Sequence, residues 1–213
     1  RAPQPSTSYQ VDATVYVTNA AGEEVEFGRY VESYRRGKRR QETRIDGSHV
    51  IVIDRPDLRV SWKLDPSNRK FVELAMNDLK AELTEVPNPF GPRIKADFEP
   101  LGTETLNGQV ARRYKVTGKV IDGTAWVASD KVPLRFEGEI GARQPRLKVR
   151  IEYGFVMRDL IKIERFEIPS DYSGFKTRTQ SGAQGRLTET QLQRLREEQR
   201  HIKSVPRGIG AGP

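Results

Sequence analysis

The sequence predicts a mostly antiparallel β-sheet domain with a short basic helical tail, and three observations predict it. Tyr9, Val11, Ala13, Val15 and Val17 are apolar, while Gln10, Asp12, Thr14 and Thr18 set among them are polar, the period-2 pattern of a strand with one dry face. Turn-forming pairs recur between segments rich in β-branched and aromatic residues. The connections are short, whereas parallel pairing needs crossovers of about a dozen residues or more, so sequence neighbours run antiparallel.

Taken in order, the first strand ends at "NAAGEE", residues 19–24, a turn that leads into an extended segment over 25–34 and closes a hairpin. Further turns are expected at Arg36-Gly37-Lys38, Asp46-Gly47, Asp65-Pro66-Ser67-Asn68, Asn107-Gly108 and Asp122-Gly123. Asp-Gly and Asn-Gly pairs readily take the positive φ angles of tight hairpins. Strands are then expected over 38–45, 49–54, 58–65, 70–74, 109–120, 124–128, 133–140, 146–157 and 161–168. One segment breaks the rhythm: Met76, Leu79 and Leu83 fall at i, i+3 and i+7, with Lys80, Glu82 and Glu85 opposite, and predict a short amphipathic helix over 76–86. "PNPFGPR", residues 87–93, is a loop, read as separating two β-meanders of one domain. Residues 177–185 read as a polar linker. A second helix starts near Thr188, where Thr188 and Gln191 form a capping box and Leu187 with Leu192 a hydrophobic staple. Leu192, Leu195 and Ile202 give that helix a narrow apolar stripe. The resulting division is a disordered N-terminus at 1–8, a β domain at 9–175, and a linker, basic helix and disordered end at 176–213.

Composition bounds the function. Hydrophobic residues make up 35% and charged residues 31% of the 213, which is polar but still enough apolar surface for a core, so wholesale disorder is excluded. No window approaches the roughly 18 consecutive apolar residues of a membrane-spanning helix. The net charge of +8 favours anionic neighbours. With no cysteine, disulfides, thiol nucleophiles and Cys-ligated metals are excluded.

Little in the chain points to catalysis. Its two histidines are His201, in the tail, and His49, at the start of a strand where a solvated or edge position is usual. No catalytic residue is assigned. No His/Cys set or acidic loop has metal-site spacing, and no Gly-rich loop joins a strand to a helix, so no metal and no cofactor is expected. The densest charge cluster is Arg35, Arg36, Lys38, Arg39 and Arg40 around Gly37. It reads either as a docking patch for an acidic partner, together with Leu192, Leu195 and Ile202, or as a solvated hairpin tip whose charges deter edge pairing. Neither basic region carries the aromatic platform of a single-strand binder, so nucleic acid is not an expected partner.

Four stretches in sequence, "DRPDLRVSWKLDPSNRKFVEL" (54–74), "LGTETLNGQVARRYKV" (101–116), "AWVASDKVPLRFEG" (125–138) and "FEIPSDY" (166–172), together resemble the LolA-like superfamily of bacterial envelope proteins. The resemblance spans about residues 9–172 and is closer to the superfamily's uncharacterised periplasmic members. It implies a strongly curved antiparallel sheet, an incomplete barrel with helices over its open side, which in LolA and LolB carries lipoprotein acyl chains. On that reading Trp62, Phe71, Tyr114, Trp126 and Phe136 line the ligand, and Met76, Leu79 and Leu83 belong to a lid. The same aromatic residues also suit a filled core. Two features depart from the family: the chain starts on a strand rather than a helix, and it adds a basic tail helix. The implied function is a non-catalytic periplasmic carrier of a hydrophobic or lipid-like ligand, with peripheral membrane contact. "RAPQPSTS" would then be the spacer left after signal-peptide removal. The alternative is an envelope scaffold that docks an acidic protein through the basic hairpin and tail.

Overall fold

A computed structural model of the chain describes residues 1–45, 48–76, 88–92, 94–141 and 146–175. The chain divides into two units, Arg1–Thr177 and Arg178–Pro213. The second unit, and with it the expected tail helix of Leu192, Leu195 and Ile202, lies outside the described residues. So do the Asp46-Gly47 turn and Leu79 and Leu83 of the expected lid.

Six strands in succession form the first meander: β1 (Tyr9–Thr18), β2 (Glu24–Arg35), β3 (Lys38–Ile45), β4 (Ser48–Arg55), β5 (Val60–Asp65) and β6 (Lys70–Ala75). Five form the second: β7 (Ala96–Leu106), β8 (Gln109–Gly118), β9 (Ile121–Val127), β10 (Pro133–Ile140) and β11 (Leu147–Arg158). The meanders join where β11 pairs antiparallel with β1. A last strand, β12 (Ser173–Phe175), adds to β6, so one sheet runs β12-β6-β5-β4-β3-β2-β1-β11-β10-β9-β8-β7. Among the described residues the sheet is curved and open, with no closed barrel. The β12–β6 pair is parallel, so the sheet is mixed, with its other strand pairs antiparallel.

Local chemistry explains the turns. Asn19 Oδ1 accepts from the backbone N–H groups of Ala21 (3.0 Å) and Glu23 (2.9 Å), and Asp65 Oδ1 accepts from that of Ser67 (3.0 Å), as short polar side chains do at turns. Arg36 and Gly37 (φ 47° and 83°) and Asn107 and Gly108 (51° and 78°) form two-residue hairpins in the left-handed region.

Two expectations are corrected, and two further features go beyond what was expected. Asp122 and Gly123 lie inside β9, and the chain bends at 119–120 instead. Gly123 pairs with Gly138 across β9 and β10, and a Cβ on either would run into the facing backbone, at Glu137 O or Asp122 O. That glycine serves a close strand approach rather than a turn. Gly138→Ala is therefore expected to lower stability by about 1–3 kcal/mol, read from the urea midpoint. Strand β7 escapes the alternation rule because it is an edge strand with a bulge between Pro100 and Gly102 and mostly exposed side chains. Residues 161–168 are not a strand. They hold a 3₁₀ turn, Ile163–Phe166, because β11 is already paired on both sides and the segment's apolar residues cover a sheet face instead. Residues 1–8, expected to lack order, contact the domain: the Ser6 N–H donates to Asp130 O at 3.0 Å, and Ala2 packs on the core.

The sheet buries its two faces in different regions. One, here the tyrosine face, carries Tyr9, Val11, Ala13 and Val15 of β1 together with Ala125, Phe136, Val149 and Ile151. The opposite, tryptophan face buries Ile51, Ile53, Trp62, Leu64 and Phe71 beneath Ile161 and Phe166. Trp126 centres a smaller cluster with Leu106 and Ala111.

Candidate functional site: a buried polar centre in the tyrosine face

Strand parity places an acid inside an apolar face. On β2, Tyr30, Glu32 and Tyr34 oppose Ala13, Val11 and Tyr9 of β1, so all three point to the tyrosine face. Arg39 of β3 opposes Tyr34 and points there too. Glu32 is 0% exposed and Arg39 5%.

Burying such a pair is costly unless every lone pair and proton finds a partner. Glu32 is well supplied: Oε1 accepts from the Tyr9 hydroxyl and from Arg39 Nη1, and Oε2 accepts from Asn88 Nδ2. Arg39 Nη1 also donates to Tyr9 Oη at 3.2 Å, and the guanidinium lies 5.0 Å from the centre of the Tyr34 ring. Arg39 Nη2 has no hydrogen-bond partner among the described residues.

A run of ring contacts leads away from this centre. Tyr9 stacks on Tyr34 at 5.5 Å. Tyr30 Oη donates to Tyr153 Oη at 2.8 Å, and the two rings meet edge to face. Phe90 touches both Tyr153 (5.8 Å) and Phe98 (5.9 Å), and Phe98 touches Tyr114 (6.4 Å). Asn88 ties the two halves together, since its Oδ1 accepts from the Phe90 N–H at 3.0 Å while its amide holds Glu32.

Electrostatics act on the tyrosines and the arginine of the centre in opposite ways. Burial, then the neighbouring Glu32 charge, pushes the Tyr9 hydroxyl well above the usual phenol range. Burial does the same first for Tyr30 and Tyr153. For Arg39, burial works against the charged form, but Glu32 and Tyr9 outweigh it and the group stays a cation. Among the described residues no group of three or more His, Cys, Asp or Glu side chains is placed to hold a metal. The arrangement is apolar and aromatic over most of its area, with one buried ion pair set into it.

The residues expected to line one ligand do not share one face. Tyr114 and Phe136 lie on the tyrosine face, in or against its core. Trp62 and Phe71 belong to the tryptophan-face core, and Trp126 to a separate cluster. Trp62 and Trp126 each use the indole N–H structurally, on Glu73 (2.8 Å) and Glu104 (2.6 Å). Met76 is half-buried beyond β6, and its N–H donates to Arg59 O at 3.1 Å.

Most charges of the basic hairpin are engaged within the chain. Arg39 is buried against Glu32, Lys38 pairs with Asp57 (3.2 Å), Arg40 pairs with Glu42 (3.2 Å), and Arg35 donates to Ile161 O. Arg36, at the turn, is exposed.

This pairing sets a pH dependence. Hydrogen bonds from Arg55, then Lys38, hold the Asp57 carboxyl well below the usual range. Burial pushes Glu42 up, but bonds from His49 (2.9 Å) and Arg40 outweigh it, leaving its pKa lowered. Carboxyls with depressed folded-state pKa values contribute stability above their unfolded value of about 4 and lose it as pH falls through the folded one. The melting temperature is expected to drop as pH is lowered from about 5 to 2, and Asp57→Asn to flatten the acid end of that curve in a series of calorimetric scans.

Glu32, Tyr30, Tyr153 and Asn88 were missed by sequence reasoning. The signal for the first two was present: once β1 fixes the dry face, Tyr30-x-Glu32-x-Tyr34 lies on it by alternation. Tyr153 follows Val149 and Ile151 on the buried side of β11 by the same alternation, whereas Asn88 had no local signal.

An open sheet of two meanders joined through their first and last strands, with a tyrosine-lined face, is the architecture to be compared. No protein-family model matches the chain, and the curated proteins searched give no match. Among solved structures it is similar to an uncharacterised conserved protein from Thermus thermophilus, at TM-score 0.50 and 16% identity, covering 80% of this chain and 90% of that one. It is also similar to a LolA superfamily protein from Nitrosomonas europaea, at TM-score 0.43 and 14% identity over 77% and 91% of the two chains. The Mycobacterium tuberculosis lipoprotein LppX follows, at TM-score 0.35 and 11% identity over 68% and 84%. The first is a likeness of fold alone. None of the three assigns a role to any residue.

Proposed function

We propose that the chain is a non-catalytic binding protein of the bacterial envelope that carries a hydrophobic or lipid-like ligand against the tyrosine face. The observation that carries this reading is the pairing of an aromatic run, Tyr30–Tyr153–Phe90–Phe98–Tyr114, with a single buried charged centre at its end. Amphiphiles are recognised by sites of this kind, mostly apolar with few polar groups that fix orientation. Phe136 supports the run from within the same core. The motif resemblance to LolA-like proteins supports the periplasm as the working compartment.

The test is organic extraction of the natively purified protein followed by mass spectrometry. Stoichiometric acyl lipid is expected from the wild type, and a much smaller amount from Tyr153→Ala, which removes the ring between Tyr30 and Phe90. Extracts free of lipid, together with no saturable uptake of added acyl lipid, would sink the reading.

A further inference from the structure

Among the described residues, five of the six non-glycine residues with positive φ lie at one end of the sheet. Arg36 (47°) turns β2 into β3, Arg59 (57°) turns β4 into β5, Asn107 (51°) turns β7 into β8 and Lys131 (65°) turns β9 into β10, while Asp159 (61°) bends the chain away from β11. The register sets these points level, since Tyr9 opposes both Tyr34 and Arg158, and Arg39 opposes Asp54. Ion pairs link neighbouring tips: Lys38 reaches Asp57 at 3.2 Å, and Arg158 reaches Asp130 at 2.7 Å. Glycine or asparagine suits a left-handed position best, yet three of the five are long cations.

Those cations are not neutralised within the described part of the chain. The acids near them are already engaged: Asp57 by Arg55 and Lys38, Asp130 by Arg158, and Asp159 by the Thr7 hydroxyl. Arg36, Arg59, Lys131 and the exposed Lys162 form no ion pair among the described residues. Two leucines stand among them. Leu58, 48% exposed, precedes Arg59, and Leu160, 74% exposed, follows Asp159. Neighbouring strands lie about 4.8 Å apart, so the tips from β5 to β9 are spread over about 30 Å along the sheet.

A row this wide is too long for one small anion, and leucines on separate tips offer a protein segment no continuous apolar strip. An anionic bilayer surface takes both kinds of side chain, the apolar ones at head-group depth and the cations against the negative surface potential. We propose that this end of the sheet docks the domain on an anionic membrane surface, with Leu58 and Leu160 entering the interface and Arg36, Arg59, Lys131 and Lys162 facing the head groups. The docking surface lies beyond the strand ends and does not depend on what the tyrosine face binds.

The test is co-sedimentation of the full chain with vesicles of phosphatidylcholine alone or with about 30% phosphatidylglycerol. Binding to the mixed vesicles is expected, weaker by about tenfold on phosphatidylcholine alone or when salt is raised to about 0.5 M. A combined variant, Arg36→Gln, Arg59→Gln, Lys131→Gln and Lys162→Gln, should bind the mixed vesicles about tenfold more weakly with its melting temperature unchanged. The chain has no cysteine, so a fluorophore on one introduced cysteine reports a known place. On adding mixed vesicles its emission should shift to the blue at Leu160→Cys and stay fixed at Ala20→Cys, in the β1–β2 turn at the opposite end. Full binding by the combined variant, or a blue shift at Ala20→Cys without one at Leu160→Cys, overturns the proposal by placing the contact elsewhere in the chain. Equal binding to both kinds of vesicle overturns the role of the cations, and no binding to either overturns membrane docking altogether.

Discussion

Glu32→Ala destabilises the domain by about 3–5 kcal/mol, seen as a lowered midpoint in urea unfolding. The size follows from what the substitution leaves behind rather than from the bond it removes. Arg39 stays 5% exposed with its counterion gone, and the Tyr9 hydroxyl and Asn88 amide lose their shared acceptor. Removing both charges is expected to cost much less, because a buried ion pair replaced by well-packed apolar groups is often nearly neutral. Glu32→Leu with Arg39→Met should therefore recover most of the single variant's loss, giving a coupling energy of at least about 1–2 kcal/mol in the double-mutant cycle. Additive losses would show that the two side chains do not act as one unit.

The second large effect is expected at Phe136. It is fully buried in the tyrosine-face core, paired across strands with Ala125 and Ile151. With Ala125 on one side there is little bulk to relax into the space, so Phe136→Ala should cost about 3–5 kcal/mol in the same assay. Phe155, 73% exposed on β11, provides the contrast, and its replacement by alanine should change stability by no more than about 0.5 kcal/mol. Similar losses at both positions would mean that the tyrosine face is not the centre of the fold.

Much of both meanders was legible because its physics is local. Alternation in β1 follows from one dry face, and Asn19, Asp65 and the Arg36-Gly37 and Asn107-Gly108 pairs carry their turn geometry in their own side chains or φ preferences. Elements settled by distant partners were not legible. Residues 161–168 alternate like a strand, yet the absence of a free edge beside β11 turns them into a cover for Trp62. Strand β7 has Pro100 and Gly102 in it and forms anyway, because an edge strand tolerates both. Gly123 looked like a turn residue and is a close-contact residue, a difference visible only once Gly138 faces it.

The site was half legible for a related reason. Aromatic type alone grouped Trp62, Phe71 and Trp126 with Tyr114 and Phe136, although strand parity puts them on opposite faces or in separate clusters. Charge density alone grouped Arg39 with Lys38 and Arg40, yet these residues divide between the buried centre and ion pairs with Asp57 and Glu42. Face assignment, not residue type, separates the buried polar centre from the ion pairs around it.

The most direct measurement is an NMR titration of the full chain, labelled at tyrosine, phenylalanine and tryptophan rings, with 1-monopalmitoylglycerol. Binding on the tyrosine face predicts saturable shifts at Tyr30, Tyr153 and Phe90, with the Trp62 and Trp126 indole signals unmoved. Saturable shifts confined to the two indoles, or none at any ring up to the lipid's solubility limit, would contradict it.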